Sequence, residues 1–378
     1  RMGDEFDISG KSELAGIDTS AAETELNKNK KETETKEEVS LDKTGGSSII
    51  TVAGGVAATT GKGSGGAAVA ITDIQNNYAA DIEYANITTE TLKAYADSAG
   101  GIGASAKGSG VGSVSWNDVD NTAKVNIKNS VVKAQSTTAT AANAAQMVSV
   151  GGQISVGGKA GVGAVLSYVG LDNSTEANIV NTTFDKRADD ETDGTSVKAE
   201  ATNTSDSYNI GAGVSAAVSG TVVVTQTHGT AGAVMDGVTI NNAKAVTADA
   251  LDDTNILSVI GSVAGAGTAA VGGGVAYTEI GGVSADKEKA EQHVTAEIKN
   301  STINSDGADS TVEVKAKDEA RVINVAIGVG GAGNVAVQGA SATTLINKTT
   351  GAEMNNTSVD KDETGSKKAD VTVDAQNA

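Results

Sequence analysis

Apolar residues recur along this chain at a spacing of two, with small or polar residues between them. The run Ile323, Val325, Ile327 and Val329 is the clearest example. Such alternation sends successive side chains to opposite faces of an extended strand, whereas a helix would place apolar residues three and four apart. Val, Ile and Thr suit the pleated surface of a sheet. Gly-rich stretches such as Gly261 to Gly274 and Gly328 to Gly339 join one strand to the next. The predicted elements are therefore all strands.

The pattern also repeats on a longer scale. An apolar residue is followed two positions later by Asn or Gly, and five positions later by a second apolar residue. This occurs at Ile127, Asn129 and Val132; at Ile179, Asn181 and Phe184; and at Met235, Gly237 and Ile240. It recurs at Ile298, Asn300 and Ile303 and at Met354, Asn356 and Val359, while Ile82 and Ile87 keep the spacing around Tyr84. Two strands so close together need a sharp bend, and Gly and Asn best tolerate the positive φ that such a bend requires. Equivalent Asn residues, once stacked, would form hydrogen-bonded ladders.

Three further columns keep this register. One opens V-x-A-x-A segments at Leu92, Thr137, Val197, Val246, Val312 and Val371, with Val39-Leu41 as a partial earlier member. Eleven residues after its members stand Ile50, Gly103, Val148, Tyr208, Leu257 and Ile323. The third comprises Ile71, Trp116, Tyr168, Val224 and Thr343, and Tyr277 joins it if Ser284 to Gln292 is an insertion. The unit starts at 39, 92, 137, 197, 246, 312 and 371 predict about six copies. With each copy divided into two coils of about 20 to 25 residues, the expectation is an all-β, right-handed parallel β-helix of about a dozen coils. At about 4.8 Å per rung it would be roughly 55 to 60 Å long.

Residues 39–378 are assigned to this solenoid, which is expected to continue beyond the fragment. Residues 1–38 read as a partial repeat carrying a charged insertion or linker at Leu14 to Glu38. Length variation gathers between the second apolar position and the next V-x-A segment, at Asp185 to Ser196, Asn304 to Thr311 and Asp360 to Asp370. Equivalent turns stack in a solenoid, so these polar insertions are predicted to project from one edge, the place to look for binding. Ser284 to Gln292 follows a different strand and is expected to point elsewhere.

Composition narrows the picture. There is no Pro and no Cys, and one Trp, two Phe and six Tyr among 378 residues are too few aromatics for an ordinary globular core. The absence of Cys excludes disulfides and thiolate metal sites. A net charge of −20 disfavours nucleic acid and anionic membrane partners, which need basic patches. No apolar run is long enough for a transmembrane helix, so no membrane insertion is expected and a monomer is.

Candidate chemistry is sparse. Asp189-Asp190 and Asp252-Asp253 read as solvated turn carboxylates without aromatic neighbours. His228 and His293 fall at different phases of the repeat, which gives no metal pair. Gly151-Gly152 and Gly272 to Gly274 lack the Lys and Thr of a phosphate-binding loop and read as close backbone approach at a solenoid corner. Neither a calcium-binding nonapeptide nor an EF-hand loop is present. The column of Trp116, Tyr168 and Tyr277 reads as core or seam packing, because Ile71 and Val224 share it; the alternative is a glycan-binding platform. No catalytic, cofactor or metal residue is assigned, and the chain is expected not to be an enzyme.

With the repeat assembled, the I-x-N-[ST]-x-[IV] turns, as in Ile298 to Ile303, come together with the V-x-A-x-A strands and the Val/Gly/Ala-rich coils of Val322 to Gly333. The chain resembles the passenger regions of large bacterial filamentous or autotransporter adhesins, most of all the leukotoxin-type adhesins of fusobacteria and related anaerobes. That resemblance covers residues 39–378. It implies a secreted or outer-membrane, cell-surface segment attaching to a protein or glycan of host cells or other bacteria. A carbohydrate-active β-helix enzyme and a segment of a secreted cytotoxin are the alternatives.

Overall fold

The structure, a computed structural model, describes residues 47–54, 57–59, 67–108, 112–157, 161–187, 194–282, 292–305, 309–360 and 368–378. The expectations for residues 1–38, and for Asp189-Asp190, lie outside them. The chain opens with β1 (Ser47–Gly54) and β2 (Ala57–Thr59), then makes coil after coil. One coil holds β3 (Ala67–Glu83), β4 (Asn86–Thr88) and β5 (Thr91–Gly108). The next holds β6 (Gly112–Lys128), β7 (Val131–Lys133) and β8 (Ser136–Gly157), followed by β9 (Val162–Val180), β10 (Thr183–Asp185) and β11 (Thr195–Ser215). In the fifth, β12 (Val218–Asp236) leads into β13 (Thr239–Ala266). Then come β14 (Ala269–Ile280), β15 (Gln292–Lys299), β16 (Thr302–Ser305) and β17 (Thr311–Ala332). The last coil holds β18 (Val335–Ile346), β19 (Lys348–Asn355), β20 (Ser358–Val359) and β21 (Asp370–Asn377). Every pairing between strands is parallel, and no helix occurs among the described residues.

The molecule is a parallel β-solenoid with two long, facing sheets. One comprises β3, β6, β9, β12, β14 with β15, and β18 with β19; the other runs through β1, β5, β8, β11, β13, β17 and β21. The short strands β4, β7, β10, β16 and β20 extend this second sheet around the bend. Among the described residues the sequence columns are real registers. Ile71, Trp116, Tyr168, Val224, Tyr277 and Thr343 are Cα partners in succession, with the excursion after Ile280 in the place predicted for an insertion. So are Leu92, Thr137, Val197, Val246, Val312 and Val371.

The coil count needs correction. Trp116 pairs directly with Ile71 one unit earlier and Tyr168 one unit later, so each repeat is a single coil, not two. The seven rungs of the longer sheet span about 30 Å at about 4.8 Å each, not 55 to 60 Å. The cause is strand length. The main strands reach 17 to 28 residues, and the Gly-rich stretches taken for corners lie within or between these long faces. They mark close sheet approach: a Cβ at Gly211 would stand 2.6 Å from Val223 Cγ2 of the facing sheet.

The bend column has the geometry expected of it. Tyr84, Asn129, Asn181, Asn300 and Asn356 have φ between 45° and 52°, and Gly237 has φ of 64°. Asn356 Nδ2 donates to Asn300 Oδ1 at 2.9 Å, one step of the expected ladder. The Ser or Thr that follows the bend residue now has a reason. Ser130, Thr182, Ser301 and Thr357 each donate to the carbonyl two residues earlier. Ser130 and Ser301 also accept a backbone N–H from the preceding coil.

The interior is layered. Next to the bends lies the main apolar stack, in which Ile127, Ile179, Met235 and Ile298 pile on one sheet and Val132, Phe184, Ile240 and Ile303 pile opposite. Farther in comes a polar band. Asn76, Asn121 and Asn173 donate in series from coil to coil, and Asn173 donates to Ser205. Val119, Met147, Val169 and Leu171 form a second apolar patch. Beyond it Ser115, Ser149, Ser167, Asn209, Thr225, Ser258 and Thr278 make a continuous chain of side-chain hydrogen bonds across four coils. Buried polar groups in series satisfy one another and pin the register of the sheets.

Candidate functional site

The first candidate is the edge beside the bends. Residues 188–193, 306–308 and 361–367 are not described, but the residues on either side of them are. Phe184, Ile303 and Val359, which precede the insertions, stack in one column with Ile240, which no insertion follows, and Thr311 and Asp370 stack after the last two. The insertions therefore leave from one column, as the spacing predicts. Their anchors are hydrogen-bonded. Asp185 Oδ1 accepts from Asn242 Nδ2 at 2.8 Å. Asp360, buried, accepts from Ser305 N at 2.6 Å, from Ser305 Oγ at 2.8 Å and from Ala369 N at 2.8 Å. Desolvation opposes ionisation of Asp360, but the N–H donors of Ser305 and Ala369 outweigh it and hold the carboxyl below its ordinary value. The excursion after Ile280 leaves from the opposite sheet, between β14 and β15, and so departs from another side.

The second candidate was misread from sequence. Trp116 and Tyr168 are on the outer face, not in the core: Trp116 is 41% exposed and its ring stacks on that of Tyr168 at 4.0 Å and 19°. Ile71 and Val224 share the column because exposed β-branched residues also suit an outer sheet face. One step along each strand come Asp73, Asp118, Gly170, Gln226 and Glu279, and another step on come Asp120, Asp172 and His228. Gly170 leaves room here, since a Cβ would meet Asp118 Oδ1 at 2.5 Å and the Tyr168 hydroxyl at 2.8 Å. Tyr168 donates to Gln226 Oε1 at 3.0 Å, Gln226 Nε2 donates to Glu279 Oε2 at 2.9 Å, and Tyr277 donates to the same oxygen at 2.9 Å. His228 Nδ1 lies 3.1 Å from Asp172 Oδ1. Desolvation, then the charges of Asp73 and Asp172, raise Asp118; desolvation and the same neighbours with Asp118 raise Asp120. Rings beside carboxylates offer an apolar face and strong acceptors together, a pairing suited to sugar faces and to organic cations.

The Asp252-Asp253 pair is also corrected. Both residues lie on β13, not in a turn; Asp253 faces outward and Asp252 is fully buried. Asp252 belongs to a polar chain that joins five strands. Asn203 Nδ2 donates to it at 3.2 Å, Thr254 at 2.7 Å and Gln292 Nε2 at 3.0 Å. Gln292 also donates to Asp318, which pairs with Lys348 at 3.0 Å, both buried. Burial pushes the Asp252 carboxyl up to about 7, with the charge of Asp318 adding to the shift. Sequence reasoning missed this network because its members are far apart in the chain. The only local hint was a charged residue at an inward phase of a strand.

Among the described residues no group of three or more His, Asp or Glu could hold a metal ion. No helix among them is long and apolar enough to cross a membrane. No protein-family model, curated protein or solved structure matches the chain.

Proposed function

We propose that this chain is a shaft or binding segment of a secreted bacterial cell-surface adhesin that attaches to a protein or glycan on host cells or other bacteria. One observation supports the reading above others: the insertions depart from a single stacked column of anchors on a regular, parallel solenoid. Such a frame fixes the points from which variable polar segments depart, one or two rungs apart along one edge, which suits multivalent recognition of a surface.

A loop replacement tests this, and the structure sets its bounds. Asp185 belongs to β10 and its carbonyl accepts from Ala134 N, so a deletion starting there would damage the frame. Replacing residues 188–193 with a short Gly/Ser link spares the anchors. Binding of the labelled chain to epithelial cells and to bacterial partners is then measured by flow cytometry. The adhesin reading expects a clear loss of binding with an unchanged far-UV spectrum. Unchanged binding would return the segment to the role of spacer.

A further inference from the structure

The polar band of the interior changes character toward the later coils. Asn143 on β8 and Asn203 on β11 are register partners, and the same column continues with Asp252 on β13 and Asp318 on β17. On the facing sheet Gln292 and Lys348 are register partners at the starts of β15 and β19. Two carboxyls on adjacent rungs of one sheet thus stand opposite an amide and an ammonium on the other. Asp252, Gln292 and Asp318 are fully buried, and the Lys348 side chain is 5% exposed.

As a set of separate charges this arrangement is costly. Lys348 Nζ donates to Asp318 Oδ1 at 3.0 Å, and to two main-chain oxygens, Asp318 O at 3.4 Å and Ala378 O at 3.2 Å. Gln292 Nε2 donates to Asp252 Oδ1 at 3.0 Å and to Asp318 Oδ1 at 3.1 Å, which holds the two carboxyls together. Asp318 Oδ2 is buried and has no hydrogen-bond partner among the described residues. Taking a Lys and an Asp out of water costs several kcal/mol for each ion, and their attraction returns it only where the remaining lone pairs and protons are satisfied. Asp318 does not meet that condition. A covalent bond between the two groups removes both charges at once.

We propose that Lys348 and Asp318 condense into a side-chain amide that ties β19 to β17 across the interior, with Asp252 as the proton carrier. Within the ion pair the Lys348 ammonium passes a proton to the Asp318 carboxylate, leaving a neutral amine beside a neutral acid. Nζ then attacks Cγ, a C–N bond forms, and the Asp318 carbonyl oxygen takes the electron pair. Asp252 gives its proton to the departing hydroxyl and takes one from Nζ; the Cγ–O bond breaks and one water leaves. Nothing is oxidised or reduced. Position favours the step, because reacting groups held this close behave as if at about 10⁵ M or more. Acidity favours it too: burial pushes the Asp252 carboxyl up to about 7, so that it still holds a proton in much of the population near neutral pH. Burial also raises Asp318, against the lowering effect of Lys348. Exclusion of water protects the product from hydrolysis. The bond closes a loop that contains β18, a strand paired on one side only. It is independent of whatever the solenoid binds.

Intact mass reports the bond directly. The full chain is purified, held near neutral pH until its mass is constant, and weighed by mass spectrometry. The proposal expects a chain one water lighter than its sequence, with fragment spectra of its tryptic peptides placing the join between Lys348 and Asp318. Lys348→Arg keeps the positive charge and the ion pair but is a poor nucleophile. It should keep the far-UV spectrum and show the full sequence mass. Asp252→Asn keeps the shape of the side chain and loses the acid, so it should condense about a hundredfold more slowly. Its stability is compared with wild type at an equal extent of condensation, which separates the effect of charge from that of the cross-link. Folded wild-type protein of full sequence mass would overturn the proposal and leave a buried ion pair. So would a loss of water that persists in Lys348→Arg, a join mapped elsewhere, or Asp252→Asn condensing as fast as wild type.

Discussion

At the scale of single residues, the ionisation of Asp252 has the largest consequence for stability. Its carboxyl titrates at about 7 in the folded chain against an ordinary value of 3.8, chiefly because it is buried. The groups around it are Asn203, Thr254, Gln292, Asp318 and Lys348, one on each of five strands. The folded state holds the extra proton between about pH 4 and pH 7, so this residue makes stability fall as pH rises through that window. The full effect is about 4 kcal/mol. Asp252→Asn is expected to raise the urea midpoint at pH 8 and to change it little at pH 4, as followed by circular dichroism. A difference that does not vary with pH would contradict the assignment. The bends give a second prediction. Gly237→Ala places a Cβ at φ of +64° and 2.6 Å from Asn181 Oδ1, so it should cost at least about 1 to 2 kcal/mol in urea unfolding. Asn300→Gly keeps the permitted φ and should cost less than that. The need for positive φ was legible in the sequence from the recurring Asn and Gly. The burial of Asp252 was not, because an Asp beside another Asp reads as a turn until the strand's inward phase is known.

At the scale of elements, strand identity and column register were both readable, because alternation and repeated spacing survive insertions. The length of a coil was not. A Gly-rich stretch permits a corner and equally permits two flat sheets to approach, and only pairing decides between them. The aromatic column illustrates the same gap. Trp116, Tyr168 and Tyr277 were correctly placed in one register, yet the register alone does not say which face of the sheet they occupy. The insertion anchors carry a prediction of their own. Replacing residues 188–193 with a Gly/Ser link should shift the thermal midpoint by no more than a few degrees, because loop-closure entropy changes slowly with length. Asp360→Ala should instead be clearly destabilising, by about 1 to 3 kcal/mol, since it leaves the Ser305 and Ala369 N–H donors without their acceptor. Calorimetry of the two variants side by side tests the difference.

At the scale of the whole molecule, the solenoid behaves as a one-dimensional stack in which each coil is held by its neighbours. In this polypeptide β11 and β13 pair on both sides along nearly their full length, whereas β18 and β21 are paired on one side only. Hydrogen exchange should therefore be slowest in β11 and β13 and fastest in β18 and β21. Uniform protection along the stack would contradict this picture.

The sequence by itself determined the parallel repeat, the bends and the edge from which the insertions leave, because those depend on local periodicity and on the φ that a residue tolerates. Tertiary structure alone decided that one repeat is one coil, that Trp116 faces outward and that Asp252 faces inward. Each of these depends on which residues distant in the chain lie opposite one another, and side-chain alternation is the same on either face until that pairing is fixed.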